Sequence, residues 1–392
     1  MTMKKNLKRK QDMTPTPLKH FGLALALVAA GAASAAAPVA PGIASYQPQP
    51  ITLDKTRGYV LPDGTVQIIG CDDMAGIIEK TNAIFMKAHA GFKFTNVMKG
   101  NGPAIPGITY QASALAPMCG EATMLQLLPY EKIHGGSKAE PVAAMGIKIA
   151  HASLNPKAKL GPMALVVNKS NPIASLTQEQ VTSIFAYGAG DGDITAWRQL
   201  GSTGALASQA IHPTGLDEDA YNRPEDLGMG EYMIYQKLAP FPGRPFTPKY
   251  ERMHRYSEVV ARVASDPAAI GLVALNKVTS AVRVVPMVGT DGALTTGSVA
   301  DLQSGRYPYD RYLYIYARRP VGEAMDPLLR EYLRLMLSKE GQQVIAADAK
   351  GYLPLSAKEV AEELTKLEKA ETWLPRSKQG PMQNFPFPAP RP

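Results

Sequence analysis

The residues with chemistry to offer gather at glycine-bearing loops early in the chain. Gly70–Cys71–Asp72–Asp73–Met74 follows the apolar run Val66–Ile69 and opens an amphipathic stretch. A strand–loop–helix start of this kind points unpaired backbone amides out of the helix end, which suits an anion. Gly100–Asn101–Gly102 and Cys119–Gly120 supply two further turns. As free thiolates, Cys71 and Cys119 with Asp72 and Asp73 could instead hold a metal, although their spacing is not a zinc signature. Covalent chemistry finds less support. The six histidines are scattered, with no His-x-x-x-His or Glu-x-x-His pair, and His212 and His254 read as surface or cleft-edge residues. Gly-x-Ser-x-Gly is absent, as are a Walker-type loop and Cys-x-x-Cys. The pattern argues for binding rather than catalysis, with no cofactor.

The elements that must position these loops are readable from periodicity. Residues 66–70 predict a strand. Met74, Ile77, Ile78, Thr81, Ile84, Phe85 and Ala88 give the apolar face of a helix, with Asp72 or Asp73 as its N-cap. A second strand over Phe92–Val97 enters the loop at Gly100. Further on, Leu165–Val167, closed by Asn168–Lys169–Ser170, predicts a buried strand, and Asn171–Pro172 forces a turn. Thr177 and Gln180 stand in capping-box spacing, and Leu176 can staple onto Val181. A helix therefore starts at Gln178 and buries Val181, Ile184 and Phe185, ending at the glycines 188, 190 and 192. Trp197 follows on a second short segment. A helix over Tyr256–Ala264 turns Val259, Val260 and Val263 inward. Another spans 327–338, with Asp326 as cap and Pro327 at its first position. Residues 358–369 read as a helix whose glutamates and lysines are solvated over a stripe of Val360, Leu364 and Leu367.

A chain of 392 residues, 45% hydrophobic and 19% charged, describes a folded protein with room for two domains. Six basic residues before position 20, an apolar alanine-rich core over 21–30 and Ala33–Ser34–Ala35 form the pattern of a cleaved secretory signal peptide. Without residues 1–35, which carry six Lys/Arg and one acid, the formal charge falls from +8 to +3. So small an excess argues against a nucleic-acid partner. Residues 36–63 read as an extended lead-in and 374–392 as a proline-rich disordered tail.

The order of residues from Asn168 onward resembles a specific family. Asn–Lys–x–Asn–Pro, Leu–Thr–x–x–Gln, Ile–Phe and Ile–Thr–x–Trp–x–x–Leu–Gly run in sequence from Asn168 to Gly201. Ala269–Val273, Tyr307–Pro308 through Arg311–Ile315, Leu337–Gln342 and Gly351–Leu355 continue the likeness. Together these stretches resemble the phosphate-binding proteins of bacterial ABC importers, a branch of the periplasmic solute-binding superfamily. The resemblance implies a type II two-lobed α/β fold with two crossover strands and an interlobe cleft. It places 64–162 plus 281–373 in lobe I and 163–280 in lobe II. It also implies a monomer in the periplasm that binds a small anionic solute, phosphate or similar, and serves an inner-membrane permease or other envelope protein.

In that family four loops hold the anion through hydroxyls, helix amides and an arginine. The resemblance maps the ligand set onto Cys71, Asp72, Asp73, Met74, Asn101, Cys119, Arg223, Gly228 and Gly230, with Thr214–Gly215 a competing placement of the fourth loop. All four loops depart from the family pattern. Cysteines replace serines at 71 and 119, an aspartate replaces threonine at 73, and Asn101 replaces a hydroxyl. Two carboxylates at the helix end would repel a phosphate by about 4 kcal/mol per close pair at intermediate dielectric. Lys99, Asn101, His134 and Arg223 are candidate replacement donors. Because the replaced serines converge on one ligand in the resembled fold, Cys71 and Cys119 are expected to form a disulfide in an oxidising compartment. Two readings follow: a binding protein for a phosphate-like oxyanion, or a non-transporting accessory protein that has lost the phosphate site and binds a protein partner. A secreted hydrolase is disfavoured by the missing nucleophile–base pair.

Overall fold

The described residues form two α/β lobes on separate sheets, the first around two hydrophobic clusters and the second around a core of its own. The computed structural model describes residues 37–134, 143–188, 192–217, 225–226, 228–238, 245–319 and 325–368. The expected signal peptide, Arg223 and the proline-rich tail lie outside the described residues. Among the described residues no helix is long and apolar enough to cross a membrane.

The first lobe begins with β1 (Val66–Gly70), a 3-10 turn at Asp72–Met74, and α1 (Ala75–Ala88). Then come β2 (Phe94–Met98), α2 (Ala104–Thr109), β3 (Ala116–Cys119), α3 (Met124–His134) and β4 (Ala143–Ser153). β1 pairs in parallel with β2, from Val66 opposite Phe94 to Gly70 opposite Met98. The apolar face of α1 packs as its periodicity predicts, with Ile77, Ile78, Thr81 and Phe85 buried, although Ala88 is exposed. Neither Asp72 nor Asp73 caps it. The turn enters from Cys71 without a side-chain cap, because both carboxylates are held elsewhere. Gly70 is required by crowding, since a Cβ there would lie 2.5 Å from the Pro117 carbonyl oxygen.

The second lobe comprises β5 (Met163–Asn168), α4 (Gln178–Phe185), α5 (Gly204–Ala207), β6 (His212–Leu216), α6 (Gly228–Tyr232), β7 (Glu251–Met253), α7 (Tyr256–Ser265), β8 (Ala269–Ala274) and β9 (Val282–Val284). Its five strands lie in the order β7-β6-β8-β5-β9. The Thr177–Gln180 capping box forms in both directions at the start of α4, and Leu176 and Val181 are fully buried beside it. α6 runs on directly into a π turn over Met233–Lys237. Thr214 and Gly215, the competing site placement, are interior residues of β6; the Thr214 hydroxyl donates to the Glu251 carbonyl at 3.0 Å.

β5 and β8 lie side by side and antiparallel, with Leu165 opposite Leu272 and Val167 opposite Ile270. The chain does not return to the first lobe at 281 as expected. β9 pairs with β5, and a hairpin of β10 (Met287–Val288) and β11 (Leu294–Thr295) precedes α8 (Val299–Gln303). Met287, Leu302, Tyr307 and Tyr309 all belong to the second core, so the return falls at Asp310–Arg311. β12 (Tyr312–Arg319) then joins β3 and β4. α9 (Pro327–Met336), α10 (Lys339–Ala346), β13 (Tyr352–Pro354) and α11 (Ala357–Glu368) complete a sheet ordered β13-β4-β12-β3 and its cover. The helix predicted over 327–338 is broken at Ser338, which caps α10. In α11, Glu359 and Glu363 are not solvated as expected. Glu363 is 2% exposed and accepts the Lys148 amide, while Glu359 faces His151 and Tyr312.

Gly271 in β8 lies against α7, where a Cβ would meet Val259 and Val263 methyls at 2.9 Å. Gly271→Ala should therefore destabilise the protein by about 1–3 kcal/mol through overpacking, read as a lower urea midpoint at unchanged slope.

Candidate functional site

The loops singled out in the first lobe do converge. Cys71 and Cys119 are joined by a disulfide that spans 48 residues of chain. With both sulfurs in one bond, no thiolates remain for a metal. Backbone pairing prepares the bond: the Cys71 amide donates to Pro117 O at 2.8 Å, drawing the end of β1 against β3. The Asn101 side chain then acts as an artificial strand edge. Its Nδ2 donates to Cys119 O at 3.0 Å, and its Oδ1 accepts the Cys119 amide at 2.9 Å. Asn101 thus spends its amide on the protein's own backbone, and its expected role as an anion donor gives way to a structural one.

Asp72 and Asp73 diverge in role. Asp72 is half exposed and ion-pairs with Lys159 Nζ at 2.7 Å. Asp73 is buried and turned away, accepting the Tyr352 hydroxyl at 2.6 Å, the Lys159 amide at 2.9 Å and Lys350 Nζ at 2.8 Å. Against its burial, these three partners hold Asp73 below the usual carboxylate range. The repulsion expected from a bare carboxylate pair is therefore largely compensated. Met74 is a core residue with no exposed surface. His134 Nε2 donates to the Thr109 carbonyl of α2, at 2.5 Å, and does not line the cavity described below.

Above the disulfide lies a cavity of about 240 Å³ lined from both lobes. The first lobe supplies Cys71, Gly100, Asn101, Cys119 and Glu121; the second supplies Glu225, Asp226 and Gly228. Lys159 and Arg311 line it as well, as do Gly102, Thr123 and Gln126. Gly228 lines the cavity, whereas Gly230 does not. So small a volume excludes a drug-sized ligand and suits an ion or compact solute.

Arg311 is the centre of this site. Its side chain is 1% exposed, at the point where the chain crosses back into β12. A guanidinium so deeply buried must be paired, because an isolated charge in the interior costs many kcal/mol. Glu121 Oε2 lies 3.3 Å from Nη2 and 3.4 Å from Nε, while Asp226 engages Nη1 closely and lies 3.4 Å from Nη2. The Tyr232 ring packs 5.1 Å from the guanidinium carbon. Burial opposes the charge, but Asp226 and Glu121 overcome it and raise the guanidinium pKa. Glycines frame it closely: a Cβ on Gly120 or Gly228 would stand 3.2 or 3.3 Å from Nη2. In the sequence Arg311 stands out only as part of the Tyr307–Ile315 strand motif. Its signal in the sequence is a lone arginine at the head of an apolar strand, beside Asp310.

Beside Arg311 runs a buried charge chain that histidine spacing does not reveal. His151, with no exposed surface, has Nδ1 2.6 Å from Asp310 Oδ2 and Nε2 3.1 Å from Glu359 Oε2. Burial would lower its pKa, yet the two carboxylates hold it up at about 9. His151 is thus an imidazolium at neutral pH. It fixes Asp310, whose carbonyl accepts the Tyr232 hydroxyl from the second lobe.

Residues 155–340 match the model of the PBP superfamily domain. The phosphate-binding protein PstS of Pseudomonas aeruginosa, in strains PAO1 and UCBPP-PA14, is 29% identical over 356 residues, covering 89% of this chain and 98% of that protein. Among solved structures, PstS from Borrelia burgdorferi is similar at 16% identity and TM-score 0.47, over 75% of this chain and 99% of that one. An ABC-type phosphate transport receptor from Vibrio cholerae is similar at 16% identity and TM-score 0.46, over 74% and 99%.

Two outcomes follow from the site's construction. The loop-entropy relation gives the cross-link about 4 kcal/mol, so Cys71→Ala/Cys119→Ala should lower the unfolding free energy by that order, and reductant should shift the urea midpoint of the native protein alone. The His151 pKa is raised in the fold, from 6.5 to about 9, so its stabilisation is complete below pH 6.5 and is lost as pH rises through 9. The melting temperature should fall between those values, and His151→Gln should flatten that limb.

Proposed function

From the similarity of the chain to the PBP superfamily domain and to a phosphate-binding protein over most of its length, we propose that it is an exported solute-binding protein that closes on a small oxyanion between its lobes. The observation that carries this reading is Arg311, a buried guanidinium in a compact cavity to which both lobes contribute. Its planar fork suits a tetrahedral or carboxylate oxyanion, and Lys159 offers a second positive charge on the cavity wall. Binding shifts an open–closed equilibrium about the paired segments β5 and β8, and the closed form is what a permease in the inner membrane recognises. The chain acts as a monomer in the periplasm, after removal of residues 1–35.

One observation favours a second reading, the accessory protein that has lost its solute. Arg311 already has two carboxylates, and a third, Glu225, lines the same cavity. Glu121, Glu225 and Asp226 outnumber Arg311 and Lys159. A site that is net acidic does not welcome a dianion.

Calorimetric titration of the mature protein with phosphate separates the two. Micromolar binding, weakened by Arg311→Gln, is the outcome expected of a solute-binding protein. No heat at millimolar phosphate favours the accessory role.

A further inference from the structure

We propose that Asp226 is an internal competitor for the site: the carboxylate of the second lobe occupies the anion position on Arg311, clasps the lobes without solute, and sets how strongly an oxyanion binds. This rests on the solute-binding reading above for its consequence, but not for the clasp itself.

The geometry assigns the two acids on Arg311 different tasks. Glu121 comes from the same lobe, just past β3, and its contacts at 3.3 and 3.4 Å are loose. It balances the guanidinium whatever the lobes do. Asp226 comes from the opposite lobe and reaches the outer edge of the guanidinium, where both of its oxygens face Nη1 and Nη2. Arginine presents that two-toothed edge to carboxylate and phosphate alike. An arriving oxyanion must displace Asp226 or do without the best donors in the cavity.

The carboxylate is also held ready. The Tyr256 hydroxyl donates to Asp226 Oδ2 at 3.0 Å. Its neighbour Glu225 accepts the Tyr256 amide at 2.9 Å at the head of α7, and the Glu225 amide donates to the His254 carbonyl at 2.8 Å. On the other side the Asp226 carbonyl accepts the Met229 amide at 3.3 Å, fixing the entry to α6. A carboxylate fixed at both ends loses little freedom on pairing, so it competes as though present at high concentration. The apparent affinity of a solute is reduced by the fraction of molecules in which the clasp is shut. The protein therefore selects for solutes that are abundant or that bring contacts beyond one anionic group.

The test combines Asp226→Asn, which keeps shape but removes the charge, with small-angle scattering and phosphate calorimetry at low salt. Glu225→Gln serves as a control, changing the charge of the cavity equally without touching Arg311. Tyr256→Phe is the milder variant, which loosens the clasp with both charges in place and serves if Asp226→Asn does not fold. Solute-free Asp226→Asn should have a larger radius of gyration than the native protein and bind phosphate at least about ten-fold tighter; Glu225→Gln should leave the radius unchanged and gain a clearly smaller factor from the lost repulsion, and Tyr256→Phe should expand the protein and tighten binding less than Asp226→Asn. The proposal is overturned if Asp226→Asn scatters as the native protein does, or if Glu225→Gln gives the same gain in affinity. If no variant binds phosphate but Asp226→Asn still expands, the clasp stands and the oxyanion reading fails.

Discussion

A positive charge sealed inside a protein has to be answered, and here the answer organises the cleft. Arg311 has almost no exposed surface, so its guanidinium brings Glu121 from one lobe and Asp226 from the other to the same few ångströms. Breaking such an arrangement by removing one partner is costly when the other charge is stranded, and having two acids on one base avoids that. The local excess of carboxylate is the same fact seen from the solute's side.

The surrounding structure serves this pairing. Asp310 and Arg311 are consecutive and face opposite ways, one toward the imidazolium of His151, the other toward the cavity. The Tyr232 hydroxyl meets the Asp310 carbonyl while its ring lies by the guanidinium. A single aromatic residue of the second lobe thus touches both members of the pair. The return of the chain at this point, well past β9, makes the crossover itself the wall of the site.

Much of the fold was legible because its signals are local. Thr177 and Gln180 are three residues apart and cap one helix, and the apolar repeat of α1 needs only its own spacing. The lobe boundary was placed too early because nothing in residues 282–309 marks which sheet they join; β9 chooses β5 through space. The loops were found, and the pairing of Cys71 with Cys119 follows from the resemblance of the chain to a known family. The use of the loops was not legible. Asn101 turned inward to Cys119, Asp73 went to Tyr352 and Lys350, and the buried acids of α11 answer His151 and Lys148. Each of these depends on a partner 18 to 279 residues away. Asp226 carries no helical or strand pattern at all. Polar pairs across such separations leave no periodicity to read.

The cross-link between Cys71 and Cys119 has a mechanical side. It welds the ends of β1 and β3, and Asn101 rivets the neighbouring loop to the same spot. The first lobe's share of the cavity is in effect one stiff plate. Whatever movement accompanies entry and exit of a guest is thereby left to the opposite jaw.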